Sequence, residues 1–530
     1  MSIDRRRFLG LSTGAALGTL TSCRHESARG FSGGIVGASS AIGHRLRDGG
    51  FPAPAETLEV DAVVVGGGVA GLGALRRLDR GGVRRVLLLE LEAAPGGNAV
   101  GGQNEVSAYP WGAHYLPLPN AESTEVIALL EELGLITGRA ADGRFIYEET
   151  ALCADPMERL FTCGRWQEGL VPTLGTSATE RAEFDAFFAA MEQFRAAVGS
   201  DGAPAFAIPM EKSSRDAQWL DLDRMTMAQW LDVQGWNSAA LRWHVDYCCR
   251  DDYGAGVDRV SAWAGIHYFA SRRGVAANAD HDAVLTWPEG NAWLVRRIAE
   301  PLRERIRSQC VVWKMESDGE SVTLDAFDTA QQRSFRVKAR TAICATPRFV
   351  AQRVVSGLEA APALEYSPWM VANVTVNRVP EGRGVAPAWD NVFRDSRSLG
   401  YVVATHQSLH PVPRATVLTH YWPLDDAQPA EARRQMLARS YDDWCSLVLD
   451  DLERVHRGLR REVTRLDIWL WGHGMIRPVP GFLWGGARQR LASRHSSIFL
   501  AHSDMSGLSI FEEAYTRGVQ AADAALTFLA

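Results

Sequence analysis

Lysine is almost missing from this chain: of 56 basic residues among 530, only Lys212, Lys314 and Lys338 are lysines. Any mechanism that needs a lysine amine therefore has three candidates. An excess of positive charge is missing too. The 56 basic residues face 63 acidic ones, for a net charge of -7, which lacks the basic footprint of a nucleic-acid binder. Long apolar runs are absent, since no segment reaches the roughly 18 residues of a membrane-crossing helix. Cysteine is scarce, eight in all. Cys153 and Cys163 could pair, but the set is no disulfide framework. Cys248-Cys249 is not a CxxC and has no second pair, and no HExxH is present, so no metal is expected. Internal repeats are absent. What remains, 46% hydrophobic and 22% charged, is the composition of a folded globular chain long enough for two or three domain-sized units.

The N-terminus reads as an address. Asp4-Arg5-Arg6-Arg7-Phe8-Leu9-Gly10 resembles the twin-arginine export motif, and the apolar run Leu11 to Leu20 after it is too short to span a membrane. Leu20-Thr21-Ser22-Cys23 resembles a lipoprotein cleavage box, which implies a lipid anchor on Cys23 and a periplasm-facing, membrane-attached protein. Residues 1–30 are thus assigned to a signal. The Gly, Ser, Ala and Pro content of residues 31–55 reads as a flexible tether.

The clearest chemistry begins at Val60-Asp61-Ala62-Val63-Val64-Val65, a β-branched run suited to a buried parallel strand. Gly66-Gly67-Gly68-Val69-Ala70-Gly71 follows with GxGxxG spacing, Ala70 to Leu78 has helical character, and Val86-Leu87-Leu88-Leu89-Glu90 is a second strand ending in an acid. The chemistry of a dinucleotide needs these residues. Gly66 allows the tight turn, Gly68 lets backbone approach a diphosphate, Gly71 brings helix close to strand, and the helix start at Val69 and Ala70 faces the phosphates. Glu90 stands where a ribose hydroxyl is bound.

Past Glu90, the string Pro95-Gly96-Gly97-Asn98 resembles the FAD-dependent amine oxidase and phytoene desaturase superfamily, in which a Gly-Gly turn packs beside the flavin diphosphate. Cys310-Val311-Val312 resembles the strand whose backbone meets the adenine, and Val337 to Pro347, with Ala345, resembles the strand that returns to the FAD domain. Ile498 to Asp504 and Phe511-Glu512-Glu513-Ala514 through Ala522 resemble the closing strand and helix under the flavin, although His502 and Glu513 stand where glycine is usual. The resemblance implies an α/β protein in which a Rossmann-like FAD-binding domain (56–120, 280–350 and 465–530) is interleaved with a mixed-sheet and helical substrate domain (121–279 and 351–464). Helical periodicity at 121–135 and 180–198, and strand-like runs at Val371 to Val376 and Arg414 to Tyr421, agree with it.

Many amine oxidases of that superfamily hold a water at the flavin N5 with a lysine. The resemblance places it near Met370-Val371-Ala372-Asn373-Val374, where no lysine stands. Four polar and aromatic groups are candidates to face substrate: Tyr109 to Tyr115, with Gly112, Ala113 and His114 in the backbone stretch that passes over the flavin in relatives; Trp471 to Met475 with His473 and Arg477; Trp389-Asp390-Asn391 with Tyr401 and His406; and Arg250 to Gly254 with His267. His114 and His473 are the expected acid-base groups, at an ordinary imidazole pKa near 6.5. Asp251-Asp252 reads as a helix cap or solvated loop that would also suit a cation. The leading expectation is an FAD oxidoreductase acting on a small amine, or polyamine, with oxygen or a redox partner as electron acceptor. A desaturase, isomerase or non-redox flavoprotein for a hydrophobic substrate is the alternative, and a binding protein on an inactive flavin fold is a third class.

Overall fold

The computed structural model describes residues 30–361, 364–408, 415–491 and 493–530. Arg5, Arg6 and Cys23 lie outside them. Three sheets carry the architecture. Ala62–Val65 is the buried centre of a six-stranded sheet in the order 306–307, 86–89, 62–65, 341–344, 498–500 and 494–495, parallel except for its last pair. Side chains alternate across it. Ala62 and Val64 enter the core shared with the Val69–Arg80 and Phe511–Leu529 helices, while Val63 and Val65 enter the core shared with a four-stranded sheet containing Val312, Leu324 and Phe335. A strand buried on both faces must be apolar at every position, which is why 62–65 reads Ala-Val-Val-Val. Together with the helices and the mixed second sheet below, this is an α/β fold of the expected class.

The eight-stranded sheet is mixed, in the order 32–35, 463–476, 366–376, 416–423, 401–403, 390–393, 158–162 and 165–168. Its central Tyr366–Val376 strand is buried throughout and serves two cores. Met370, Ala372, Val374 and Val376 pack under the 429–438 and 441–453 helices, whereas Trp369 and Val371 face an aromatic cluster with Trp111, Tyr247, Trp389 and Tyr421. The helical and strand-like runs appear as Thr124–Glu132, Ala178–Ala196 and Thr416–Pro423.

Three expectations are corrected. Residues 31–55 are not a featureless tether: Ser32–Ile35 pairs in parallel with Arg465 to Ile468, and Ser40–Asp48 is helical. Small residues let the chain lie flat there, as at Gly33, whose added Cβ would fall 1.9 Å from Leu466 O. The stretch 337–347 is not one strand but two, Arg333–Ala339 in the four-stranded sheet and Thr341–Cys344 in the parallel sheet. Cys153 and Cys163 do not pair, and the seven cysteines among the described residues are all free thiols. Among those residues no helix is long and apolar enough to cross a membrane, and no group of His, Cys, Asp and Glu is placed to hold a metal ion.

Candidate active site

The glycine loop shows separate reasons for each glycine. Gly66 has φ +102°, a conformation that side chains resist. A Cβ on Gly71 would lie 1.8 Å from Gly66 O, so helix and turn touch there. Gly518 does the same for the helix pair, since its Cβ would fall 2.0 Å from Ala70 O. Gly68 differs. Its φ of -69° suits any residue, and a Cβ on it would meet only Gly97 Cα, at 3.8 Å. Nothing in the protein requires a glycine at 68, which leaves close approach of a ligand as its reason. The Val69–Arg80 helix that follows has no side-chain cap, so its first amides remain available to an anion.

Glu90 is buried at the end of its strand, accepting from Gly67 N at 2.5 Å and from Glu92 N at 2.7 Å. Burial raises its pKa, against the pull of those amides. Gly96 and Gly97 adopt φ of +153° and +56°, and Gly68 bridges to Gly96. Asn98 links this turn to the second domain: its side chain donates to Gly474 O, and its carbonyl accepts from Ala113 N at 2.8 Å. Val312 and Ala345 lie buried in and beside the strands flanking the loop, with Ala345 N donating to Val65 O. At the C-terminal side Asp504 is buried and accepts from Arg348 N (2.8 Å) and Tyr366 Oη (2.6 Å). Burial opposes its ionisation, but His502, Tyr366 and the Arg348 amide outweigh it and hold Asp504 below the usual carboxylate range. The Phe511–Leu529 helix also begins without a side-chain cap. Open backbone over Gly68, two uncapped helix starts and a buried ribose-type acid are a donor set that fits a dinucleotide. Glu513 is buried and accepts from Met210 N at 2.5 Å.

A cavity opens beside Asn98, Gly112, Ala113 and the start of the 511–529 helix. One wall is aromatic. The His114 ring stacks on Tyr421 at 4.6 Å and lies 5.1 Å from Tyr115 and 5.4 Å from Trp389. Another wall is acidic. Asp251 and Asp252 line it from the Ala239–Tyr253 helix, in a deeper position than the expected cap or loop. Asp252 pairs with Arg272 at 2.7 Å. Burial, then Asp252 and Glu158, push the Asp251 carboxyl up to about 7, with Arg272 and Tyr115 pulling the other way. Burial and then Asp282 push Glu158 up to about 7, and burial with Glu158 and Asp251 raises Asp390 well above its usual range. Glu158 and Asp390 are register partners on adjacent strands, and Tyr247 Oη donates to Asp390 at 3.4 Å. Glu512 also lines the cavity, pushed up to about 7 chiefly by burial. No lysine lines it.

The two histidines part company. His114 faces the cavity, but burial lowers its pKa to about 4, so it is neutral at pH 7 rather than half-charged. His473 is exposed, stacks on Phe349 at 4.2 Å and does not line the cavity; the pairing of its strand shifts register between Trp471 and Met475, and within that irregularity Gly474 lines the cavity instead. His267 lines the cavity with Nε2 at 2.9 Å from Ala207 O. Asn391 is buried outside it, accepting from Arg159 Nε at 2.5 Å, and Tyr401 pairs with His456 at 2.7 Å. His406 Nε2 lies 2.7 Å from Ala154 O, and Arg477 Nε donates to Ser367 at 2.7 Å. Tyr421 and Arg272, which line the cavity, and Glu158, which acts on Asp251 from outside the lining, went unseen in the sequence, because tertiary packing brings each there and no local motif surrounds it.

A Rossmann-like half joined to a cavity roofed by a mixed sheet is a fold shared with solved oxidase structures. Residues 64–133 match the NAD(P)-binding Rossmann-like domain family. No curated protein sequence matches the chain. Among solved structures, wild-type putrescine oxidase bound to putrescine is similar over 89% of this chain and 100% of its own, with TM-score 0.65 and 17% identity. Cyclohexylamine oxidase from Brevibacterium oxydans IH-35A is similar over 89% and 99%, with TM-score 0.62 and 17% identity. A CLA-producing fatty acid isomerase from P. acnes is similar over 87% and 97%, with TM-score 0.60 and 13% identity.

Proposed function

We propose that this protein is an FAD-dependent oxidoreductase that removes a hydride from the carbon beside nitrogen in a small amine, with diamines and polyamines the best-fitting class. The observation that carries the reading is the meeting of an aromatic wall and an acidic wall in one cavity. Aromatic faces attract an ammonium ion. Asp251, with Glu158 and Asp390 near enough to raise one another's pKa, is a crowded set of buried carboxyls, and the neighbouring cation Arg272 is already paired to Asp252. Crowded buried carboxylates are costly when ionised, and a cationic ligand relieves that cost.

The backbone at Gly66 to Gly71, Gly97, Asn98, Gly112 and Ala113, with Glu90, Asp504, Phe511 and Glu512, would hold the cofactor. The chemistry that FAD supplies when bound is hydride acceptance. His114 and Tyr421, with Trp389 packed against the His114 ring, orient the amine and exclude water, and neutral His114 accepts a hydrogen bond at pH 7. With lysine absent from the cavity, proton acceptance from the substrate ammonium falls to Asp251, whose carboxyl titrates at about 7. The apolar remainder of the lining, including Trp369, Val371, Met475 and Leu508, favours a second reading, in which a hydrophobic substrate is desaturated or isomerised. Anaerobic bleaching of the flavin separates the two: bleaching by a diamine supports the first, and bleaching only by an apolar donor overturns it. Oxygen or a redox partner takes the electrons, and hydrogen peroxide release identifies the former.

The same proposal places the enzyme at the periplasmic face as a lipoprotein exported by the twin-arginine route. Arg5→Lys with Arg6→Lys is expected to retain the precursor in the cytoplasm, and Cys23→Ala to move the protein from the membrane to the soluble fraction. Unchanged fractionation in both overturns that placement.

A further inference from the structure

The segment from Ser32 to Asp48 crosses from one domain to the other. Ser32–Ile35 extends the substrate sheet beside Arg465 to Ile468, and Val36 N donates to Ile468 O at 2.7 Å. Gly37, at φ +120°, lies flat on the Trp469 ring, where an added Cβ would fall 2.0 Å from ring carbon. Ser39 then reaches the dinucleotide side. Its N–H and Oγ donate to the two oxygens of Glu92 at 2.8 and 2.7 Å, and Glu92 N in turn donates to Glu90 Oε1. The Ser40–Asp48 helix rests on the Cys310–Ser317 strand and the Arg348–Val354 helix, and His44 stands near enough to His473 for their charges to interact. This chain therefore lies at the carboxyl ends of the parallel strands, where a dinucleotide binds in an open α/β sheet.

The segment is held by strand pairing and hydrogen bonds more than by burial, with Val36 and Leu46 packed only in part against a core. The helix has no buried residue, and only Leu46 packs in part against the core. A segment held by so little burial opens at low cost, whereas one that merely completed the fold would be expected to bury apolar surface. We propose that residues 32–48 form a strap that opens to admit the dinucleotide and then slows its release, with Ser39 as the positioning residue that holds Glu90 through Glu92. The proposal rests on the FAD reading above.

The test uses the mature protein loaded with FAD and follows flavin fluorescence after dilution. Gly37→Val, which lifts the strap from Trp469, is expected to speed release about tenfold, because changes at one interface act mostly on dissociation. Ser39→Ala is expected to speed it about threefold, the loss of one hydrogen bond, and Ser39→Thr to restore it. Trypsin is expected to cut after Arg45 and Arg47 faster without FAD than with it. If Gly37→Val does not fold, the two Ser39 variants and the protease comparison carry the test. Wild-type protein that keeps FAD, with equal release from every folded variant and equal cleavage in both states, overturns the strap alone. Wild-type protein that takes up no FAD overturns the strap and the cofactor together.

Discussion

The dinucleotide side and the substrate cavity are built by opposite means. On the first, Gly66, Gly68, Gly71 and Glu90 come within 25 residues of one another, and each does its work through its own backbone or through an immediate neighbour. On the second, Asp251, Arg272, Trp369, Tyr421 and Met475 come from five separate stretches, and none has meaning until the eight-stranded sheet and the 239–253 helix meet. A binding loop for a common cofactor is a local object, whereas a specificity cavity is a tertiary one. Variants can break that contrast or sharpen it.

The largest effect is expected in the loop. Gly68→Val puts a side chain where the protein leaves room and a diphosphate would lie, so FAD affinity should fall at least about a hundredfold, near 3 kcal/mol, with little change in the melting temperature of the FAD-free protein. Gly71→Val, whose Cβ meets Gly66 O, should lose both FAD and stability. Absorbance at flavin wavelengths and thermal melting distinguish them. A Gly68→Val protein that stays yellow would mean that position 68 does not face the cofactor.

Next come the acids. Asp251→Asn combined with Glu158→Gln should raise the KM for a diamine by at least about tenfold, the worth of one buried charge contact. Because both carboxyls titrate at about 7, they are neutral below that pH and charged above it. Diamine binding to the wild type should therefore strengthen from pH 6 to pH 8, apart from titration of the ligand itself, and the double variant should lose that dependence. Equal profiles in the two proteins would remove the acidic wall from the account of specificity.

The contrast also explains what the sequence made legible. The strand, glycine loop, helix and terminal acid at 60–90 follow from period and turn chemistry, so their place in a parallel sheet could be read directly. Asp251-Asp252 looked like a cap because the Ala239–Tyr253 helix is amphipathic only weakly and its cavity face depends on the sheet beside it. Residues 31–55 looked like a tether because glycine and serine usually mark loose chain; here glycine serves close packing on Leu466 and Trp469. His473 looked catalytic from its glycine neighbours, but the register shift between Trp471 and Met475 leaves Gly474, not His473, in the cavity lining. A strand irregularity of that kind has no local sequence signal beyond the glycines themselves.

The histidines test that correction at a smaller scale. His114→Ala removes the ring stacked on Tyr421 and should slow amine-dependent flavin reduction about tenfold while leaving the FAD spectrum intact. His473→Ala should change reduction less than about twofold, since its ring packs on Phe349 outside the cavity. Rapid-mixing reduction rates check both, and a larger loss for His473 would return it to the site.

The smallest effect concerns stability and depends on sign. Glu158 is raised to about 7 by burial and Asp282, while in the unfolded chain it ionises near 4.3. Between those values the folded state holds the proton more tightly, so wild-type stability should fall as pH rises from about 4 to about 7 and then level off. Glu158→Gln removes that loss. Its melting temperature should exceed the wild type's by about 1–2 °C at pH 8 and match it near pH 4. A saturating diamine should also recover stability in the wild type, because its charge compensates the ionised carboxyls, and should recover less in Glu158→Gln. Melting curves at the two pH values, with and without diamine, check both. A variant that melts lower than wild type at pH 8 would mean that Glu158 is structurally paired and does not serve as an open wall for a cation.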